Sequence, residues 1–240
     1  MRAALVPVIL AAGVAVTATA TASTADPPNA RRGQSEVYEK VELRFTARHT
    51  GMRSGLRWHV RQRAVAADAQ PPVVRRARIR LPKGTRFDTA AVARCQATDA
   101  ELMASGPSIC PAASRIGSGT GTLYVGTPER LPLAVSIVNA DRAVVLVIAT
   151  RQGTVLRAIR AQVRGSVIDA RLPKVALAND REAALTSLSV DLPAAGTHAR
   201  PLLRTPAACP RTSSWKFVYD ITYDDPPGPQ RPYDLSACGH

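Results

Sequence analysis

A two-residue rhythm of apolar and polar side chains recurs along most of the chain, and it limits the fold more than any other feature. Val41, Leu43, Phe45 and Ala47 alternate with Glu42, Arg44, Thr46 and Arg48. Every second side chain of an extended strand shares a face, so this stretch reads as a strand with one face buried and the other in water. After a turn at His49-Thr50-Gly51, Leu56, Trp58 and Val60 alternate with Arg57, His59 and Arg61, which marks the hairpin partner. A third strand is predicted from Val73 to Leu81. It has Ala77, Ile79 and Leu81 on one face, Arg76, Arg78 and Arg80 on the other, and Pro82-Lys83-Gly84 at its end.

Beyond Thr120 the pattern returns in Leu123 to Val125, Leu133 to Val138, Ala143 to Ile148, Val155 to Val163, Leu185 to Leu192 and Trp215 to Tyr223. The unbroken apolar run Val144 to Ile148 predicts a strand covered on both faces. Many strands punctuated by Pro and Gly predict a mainly β fold, an antiparallel β-sandwich with a partly open barrel as the alternative. One or two short helices are expected, because Thr98-Asp99-Ala100-Glu101 has the spacing of a capping box and Gly106-Pro107 follows as a stop. Gly117-Ser118-Gly119-Thr120-Gly121 superficially matches a phosphate-cradling loop, but no helix pattern or Lys follows it. It reads instead as a tight turn leading into a strand.

The N-terminus reads as an address. Arg2 precedes an uncharged run from Ala3 to Val16, followed by Ala18-Thr19-Ala20 and Ala20-Thr21-Ala22. That is the plan of a secretory signal peptide, assigned here to residues 1–25, with cleavage after Ala22 or Ala25. Its strongly apolar part is roughly 14 residues, short of the ~20 that a spanning helix needs. No later segment is apolar enough to span a bilayer, so no transmembrane segment is expected once the signal is removed. Residues 26–35 form a polar, Pro-containing lead-in, and 36–240 read as one disulfide-stapled β domain. The four cysteines, Cys95, Cys110, Cys209 and Cys238, all follow the signal, and an even count in an exported chain predicts two disulfides. Three connectivities are open; proximity in sequence favours Cys95–Cys110 and Cys209–Cys238. With no Cys-x-x-Cys pair and no ligand spacing among His49, His59, His198 and His240, neither a metal nor another cofactor is expected.

The formal net charge of +14 asks for a partner or a reason. Most of the basic residues are Arg and Ala is abundant, a bias that a GC-rich genome imposes, but the excess of positive charge does not follow from it. If the first three strands are neighbours, Arg44, Arg48, Arg57, Arg61, Arg76, Arg78 and Arg80 form one outward basic patch. Such a patch suits phosphate- or carboxylate-bearing cell-envelope polymers or anionic lipid headgroups. Nucleic acid is not expected, since aromatics for stacking make up only 4% of the chain. No Gly-x-Ser-x-Gly elbow is present, and no His neighbours an obvious nucleophile, so no catalytic residue is assigned. Asp220, Asp224 and Asp225 are the carboxylates to consider for glycoside cleavage, but Asp220 faces away from Tyr219, Ile221 and Tyr223. The functional expectation is a secreted, non-enzymatic module that binds the cell envelope or extracellular anionic polymers. The alternative is a hydrolase of envelope polymers or esters.

Leu81-Pro82-Lys83-Gly84, Cys95 and the run from Cys110-Pro111 through Ser114, Ile116-Gly117 and Gly119 form a combination that resembles a family of uncharacterised secreted actinobacterial proteins. The C-terminal Cys209-Pro210, Trp215-Lys216-Phe217 and last cysteine are similar to that family too. The resemblance spans nearly all of the mature chain. It implies an exported β-rich fold and the two local disulfides, and it carries no activity.

Overall fold

The computed structural model describes residues 37–64, 70–126, 129–177, 182–224 and 228–239. The expected signal peptide and lead-in lie outside the described residues, as do Asp225 and His240. The first hairpin forms from β1 (Val37–Phe45) and β2 (Leu56–Ala64), followed by β3 (Val74–Arg80) and the two-residue β4 (Arg86–Phe87). The helix α1 (Asp99–Ser105) comes next, and two short 3-10 turns connect it to β5 (Arg115–Tyr124). A meander follows through β6 (Arg130–Ala140), β7 (Ala143–Thr150), β8 (Val155–Arg164) and β9 (Val167–Arg171). The chain then crosses to β10 (Ala184–Leu192), the short β11 (Leu203–Arg204), β12 (Ser214–Tyr223) and β13 (Tyr233–Ala237).

Eleven of these strands form one antiparallel sheet in the order β1-β2-β10-β5-β6-β7-β8-β9-β3-β12-β13. The sheet rolls until its two edges meet. At the seam the Leu43 amide of β1 donates to Asp234 Oδ2 of β13 at 2.6 Å, a side chain doing what a ladder bond does elsewhere. The result is a nearly closed barrel, which suits the mainly antiparallel β class and both of the expected architectures. Closing the sheet on itself removes most of the exposed edge that would invite pairing with another chain.

Alternation sets the barrel interior. Val41, Leu43 and Phe45 of β1, Leu56 and Val60 of β2, and Phe217, Tyr219 and Ile221 of β12 are all buried in one cluster. Phe45 meets Trp215 edge-on with centroids 5.3 Å apart, and tilts against Phe217 at 4.9 Å. One end of the barrel is closed by loops stitched together through their backbones: Ser54 N donates to Leu203 O, Asp88 N to Leu202 O and Thr205 N to Met52 O. The small β4–β11 sheet belongs to this plug.

The expected double-faced strand is β7. Val144, Leu146 and Ile148 belong to the interior cluster, while Val145 and Val147 lie in a second cluster with Leu102, Cys95 and Cys110. The helical excursion is therefore a lid on the outside of the barrel wall. Its capping box is complete: Glu101 N donates to Thr98 Oγ1 at 3.2 Å, and Thr98 N donates to Glu101 Oε2 at 2.7 Å. Both local disulfides form, Cys95–Cys110 and Cys209–Cys238, with Cα atoms 5.0 and 5.8 Å apart.

The glycine-rich stretch 117–121 is not the turn expected of it. It lies within β5, paired on both sides with β10 and β6. A Cβ on Gly119 would sit 2.3 Å from the Ser189 carbonyl oxygen, and one on Gly117 2.6 Å from that of Asp191. Glycine is used here for close approach of two backbones inside the wall, not to reverse the chain.

Candidate functional site

Lys40, Glu42 and Arg44 of β1 and Arg57, His59 and Arg61 of β2 share the outward face, and their register sets them side by side. Lys40 lies directly opposite Arg61, and Arg44 directly opposite Arg57, with Glu42 opposite His59 between them. Like charges directly opposed across an antiparallel pair destabilise the sheet. Neutralisation is partial: Lys40 Nζ reaches Glu42 at 2.6 Å, and Arg57 Nε lies 3.8 Å from Asp191. The Lys40 contact holds the Glu42 carboxyl below its ordinary value. Arg44, Arg48 and Arg61 are exposed and form no ion pair among the described residues.

Next to this row, the β1–β13 seam forms an open groove of about 610 Å³. Lys40, Glu42, Arg44, Arg48 and Arg57 line one side, with Asp234 and Ser236 on the other. Burial raises the Asp234 carboxyl above its ordinary value, opposed by the Leu43 and Leu235 amides that donate to it. Asp234 is thus occupied with closing the barrel rather than with neutralising the arginines. Leu235 adds an exposed apolar side chain to the same wall.

The seven arginines expected to form one patch divide into two groups. Arg44, Arg48, Arg57 and Arg61 fall together at β1–β2, but β3 is not their neighbour. It lies beyond β13 and β12, three strand spacings or ~14 Å around the wall from β1. Its arginines face outward as expected but are matched by acids. Arg76 and Arg78 share Asp169 at 2.5 and 3.1 Å, and Arg80 reaches Asp220 at 2.5 Å. Hydrogen bonds from Arg76 and then Arg78 outweigh partial burial and hold the Asp169 carboxyl down at about 2.

The candidate carboxylates are similarly engaged. Asp220 pairs with Arg80 and Arg231, and Asp224 with Arg75 and Lys174. His49 lies in the loop after β1, at a bridge to Gly239, and His198 in the exposed loop before β11. Topology does bring Ser189, His59 and Glu42 into one row across β10, β2 and β1, a set that linear spacing hides. No hydrogen bond joins the His59 side chain to either neighbour among the described residues, and Glu42 is held by Lys40. Among the described residues no group of three or more His, Cys, Asp or Glu side chains is arranged to hold a metal ion.

Sequence reasoning passed over Lys40, Asp234 and Glu39. Lys40 continues the outward phase of Glu42 and Arg44, and Glu39 continues the inward phase of Val41, so extending the alternation upstream finds both. Asp234 carried no such signal: Tyr233 to Ala237 alternates, but its polar residues are the half-buried ones and Leu235 and Ala237 are exposed, the reverse of an apolar inward phase.

Comparison with protein families, curated proteins and solved structures finds no match to this chain. No helix among the described residues is long and apolar enough to cross a membrane. The two disulfides belong to a protein that matures in an oxidising, non-cytoplasmic compartment.

Proposed function

We propose that this chain is an exported, non-enzymatic β-barrel that binds anionic cell-envelope polymers along the groove at its β1–β13 seam. The observation that carries the reading is the pair of like-charged couples on the β1–β2 face, Lys40 opposite Arg61 and Arg44 opposite Arg57. On the β1–β2 face the one interleaved acid, Glu42, is engaged by Lys40, whereas between β3 and β9 Asp169 is shared by Arg76 and Arg78. Guanidinium groups on a rigid strand present planar donor forks that match phosphate and carboxylate oxygens in pairs. Arg44, Arg48 and Arg57 offer those forks to one groove, and Leu235 gives an apolar contact for the body of a repeating unit. Export is supported by the N-terminal signal pattern, by the disulfides, and by the resemblance to exported actinobacterial proteins.

The test is chromatography of the purified protein on immobilised polyphosphate and on neutral dextran. We expect retention on polyphosphate in low-salt buffer, release as NaCl rises toward about 1 M, where the screening length falls to ~3 Å, and no retention on dextran. Passage through polyphosphate in low salt, or equal retention on dextran, contradicts the proposal.

A further inference from the structure

The barrel interior is not filled throughout. Toward the end away from the loop plug lies a cavity of about 100 Å³, and a second chamber of about 50 Å³ adjoins it, sharing Trp58, Ala77, Leu146 and Ala170. The lining is apolar almost throughout, with Val60, Leu133, Ile159 and Leu188 among it, and it reaches the surface beside the exposed Pro173. Three polar groups interrupt it in a way that packing does not explain: Glu39, Trp58 and Arg157, whose Nε is buried with no partner among the described residues. Glu39 is 5% exposed, and its Oε2 has no hydrogen-bond partner among the described residues. Trp58 Nε1, on the same lining, is also buried with no partner among the described residues. A buried donor and a buried acceptor left unsatisfied in one apolar cavity are each costly, and natural interiors avoid them.

We infer that this cavity is a binding site for a small, neutral, apolar molecule about the size of a six-membered ring that carries one hydroxyl group. The two chambers together are on the scale of the ~150 Å³ cavity known to hold a benzene ring, a space for a single ring. A hydroxyl can satisfy either orphaned group: its oxygen can accept from Trp58 Nε1, or its hydrogen can be donated to Glu39 Oε2. The head group is neutral because Glu39 is. Burial pushes its carboxyl up to about 8, and the groups around the cavity offer it no ionic partner. Gln62, from β2, is turned to the Pro72 carbonyl, Tyr219 from β12 is a buried phenol, and Arg157 from β8 is held on the Lys174 carbonyl. The site is independent of the outer groove and stands or falls separately from it.

Trp58 supplies the readout. The intact protein is titrated with cyclohexanol, cyclohexylamine and methylcyclohexane while tryptophan emission is followed, and thermal unfolding is measured with each. Cyclohexanol is expected to saturate the emission change, raise the Tm, and bind about tenfold more tightly than methylcyclohexane. In Glu39→Leu that preference should fall. In Ala77→Leu, which fills the junction of the two chambers, no saturable change should remain; if that variant fails to fold, Leu188→Phe serves the same purpose. Three results overturn the inference: no saturable binding of cyclohexanol, which leaves a site for ordered water only; equal affinity for methylcyclohexane; or tighter binding of cyclohexylamine, which requires a charged head.

Discussion

Glu39 and Gly119 each occupy a position where the barrel wall dictates terms to a single side chain. Glu39 is on the inward phase of β1, and burial holds its proton on far above the ordinary carboxylate range. The folded state therefore keeps a proton that the unfolded chain releases above about 4.5. Stability from this group is complete below that value and falls as pH rises to about 8. Glu39→Gln should consequently match the parent in thermal unfolding near pH 4 and exceed it at pH 8, by a few kcal/mol; an equal difference at both pH values contradicts the burial of an acid. Gly119 has the opposite problem, since no side chain fits against the Ser189 carbonyl. Gly119→Val should lower stability by several kcal/mol, measured by urea unfolding, because backbone rather than a flexible side chain must move. In the sequence the first of these constraints was legible as an acid in an apolar phase. The second was not, because close approach depends on which strand lies alongside, and that is a property of the sheet order.

Elements differ in how much of themselves they announce. The β1–β2 hairpin, the capping box and the double-faced β7 were legible because each rests on local pattern or adjacent pairing. The neighbours of β3 were not. An Arg-rich outward face looks the same beside β2 as it does between β9 and β12, where Asp169 and Asp220 neutralise it. β13 escaped notice because it is short and its alternation is inverted, with Asp234 and Ser236 half-buried and Leu235 exposed; the barrel closes through it all the same. The helical lid is held by three ties: its disulfide, the Arg160–Asp99 pair at 2.7 Å, and Asn139. The Asn139 amide donates to the Thr89 and Ala93 carbonyls at 2.9 Å each. Replacing Cys95 and Cys110 together by Ser opens a loop of 15 residues. It should cost about 3 kcal/mol in denaturant unfolding, chiefly through the unfolded chain. A loss below about 1 kcal/mol would mean that Asn139 and Leu102 hold the lid without the crosslink.

At the scale of the whole molecule, a barrel of this kind has two surfaces on which to act, an inner one of about 100 Å³ and an outer one divided by charge. The outer wall is not uniformly basic. On the β3–β9–β12 side Asp169 and Asp220 pair with arginines, whereas at the seam Arg44 and Arg48 form no ion pair among the described residues. The net charge of +14 draws the protein to any polyanion, so attraction alone says little about a site. Location is what distinguishes a binding groove from a charged surface. The most direct measurement compares two variants that lose the same charge: Arg44→Ser/Arg48→Ser/Arg57→Ser at the seam, and Arg115→Ser/Arg164→Ser/Arg211→Ser at exposed positions elsewhere. Each is eluted from immobilised polyphosphate with a NaCl gradient after its Tm is shown to match the parent. The seam variant is expected to elute at markedly lower salt, with the control variant staying close to the parent. Equal shifts in the two variants would reduce the interaction to net charge and contradict a binding groove at the seam.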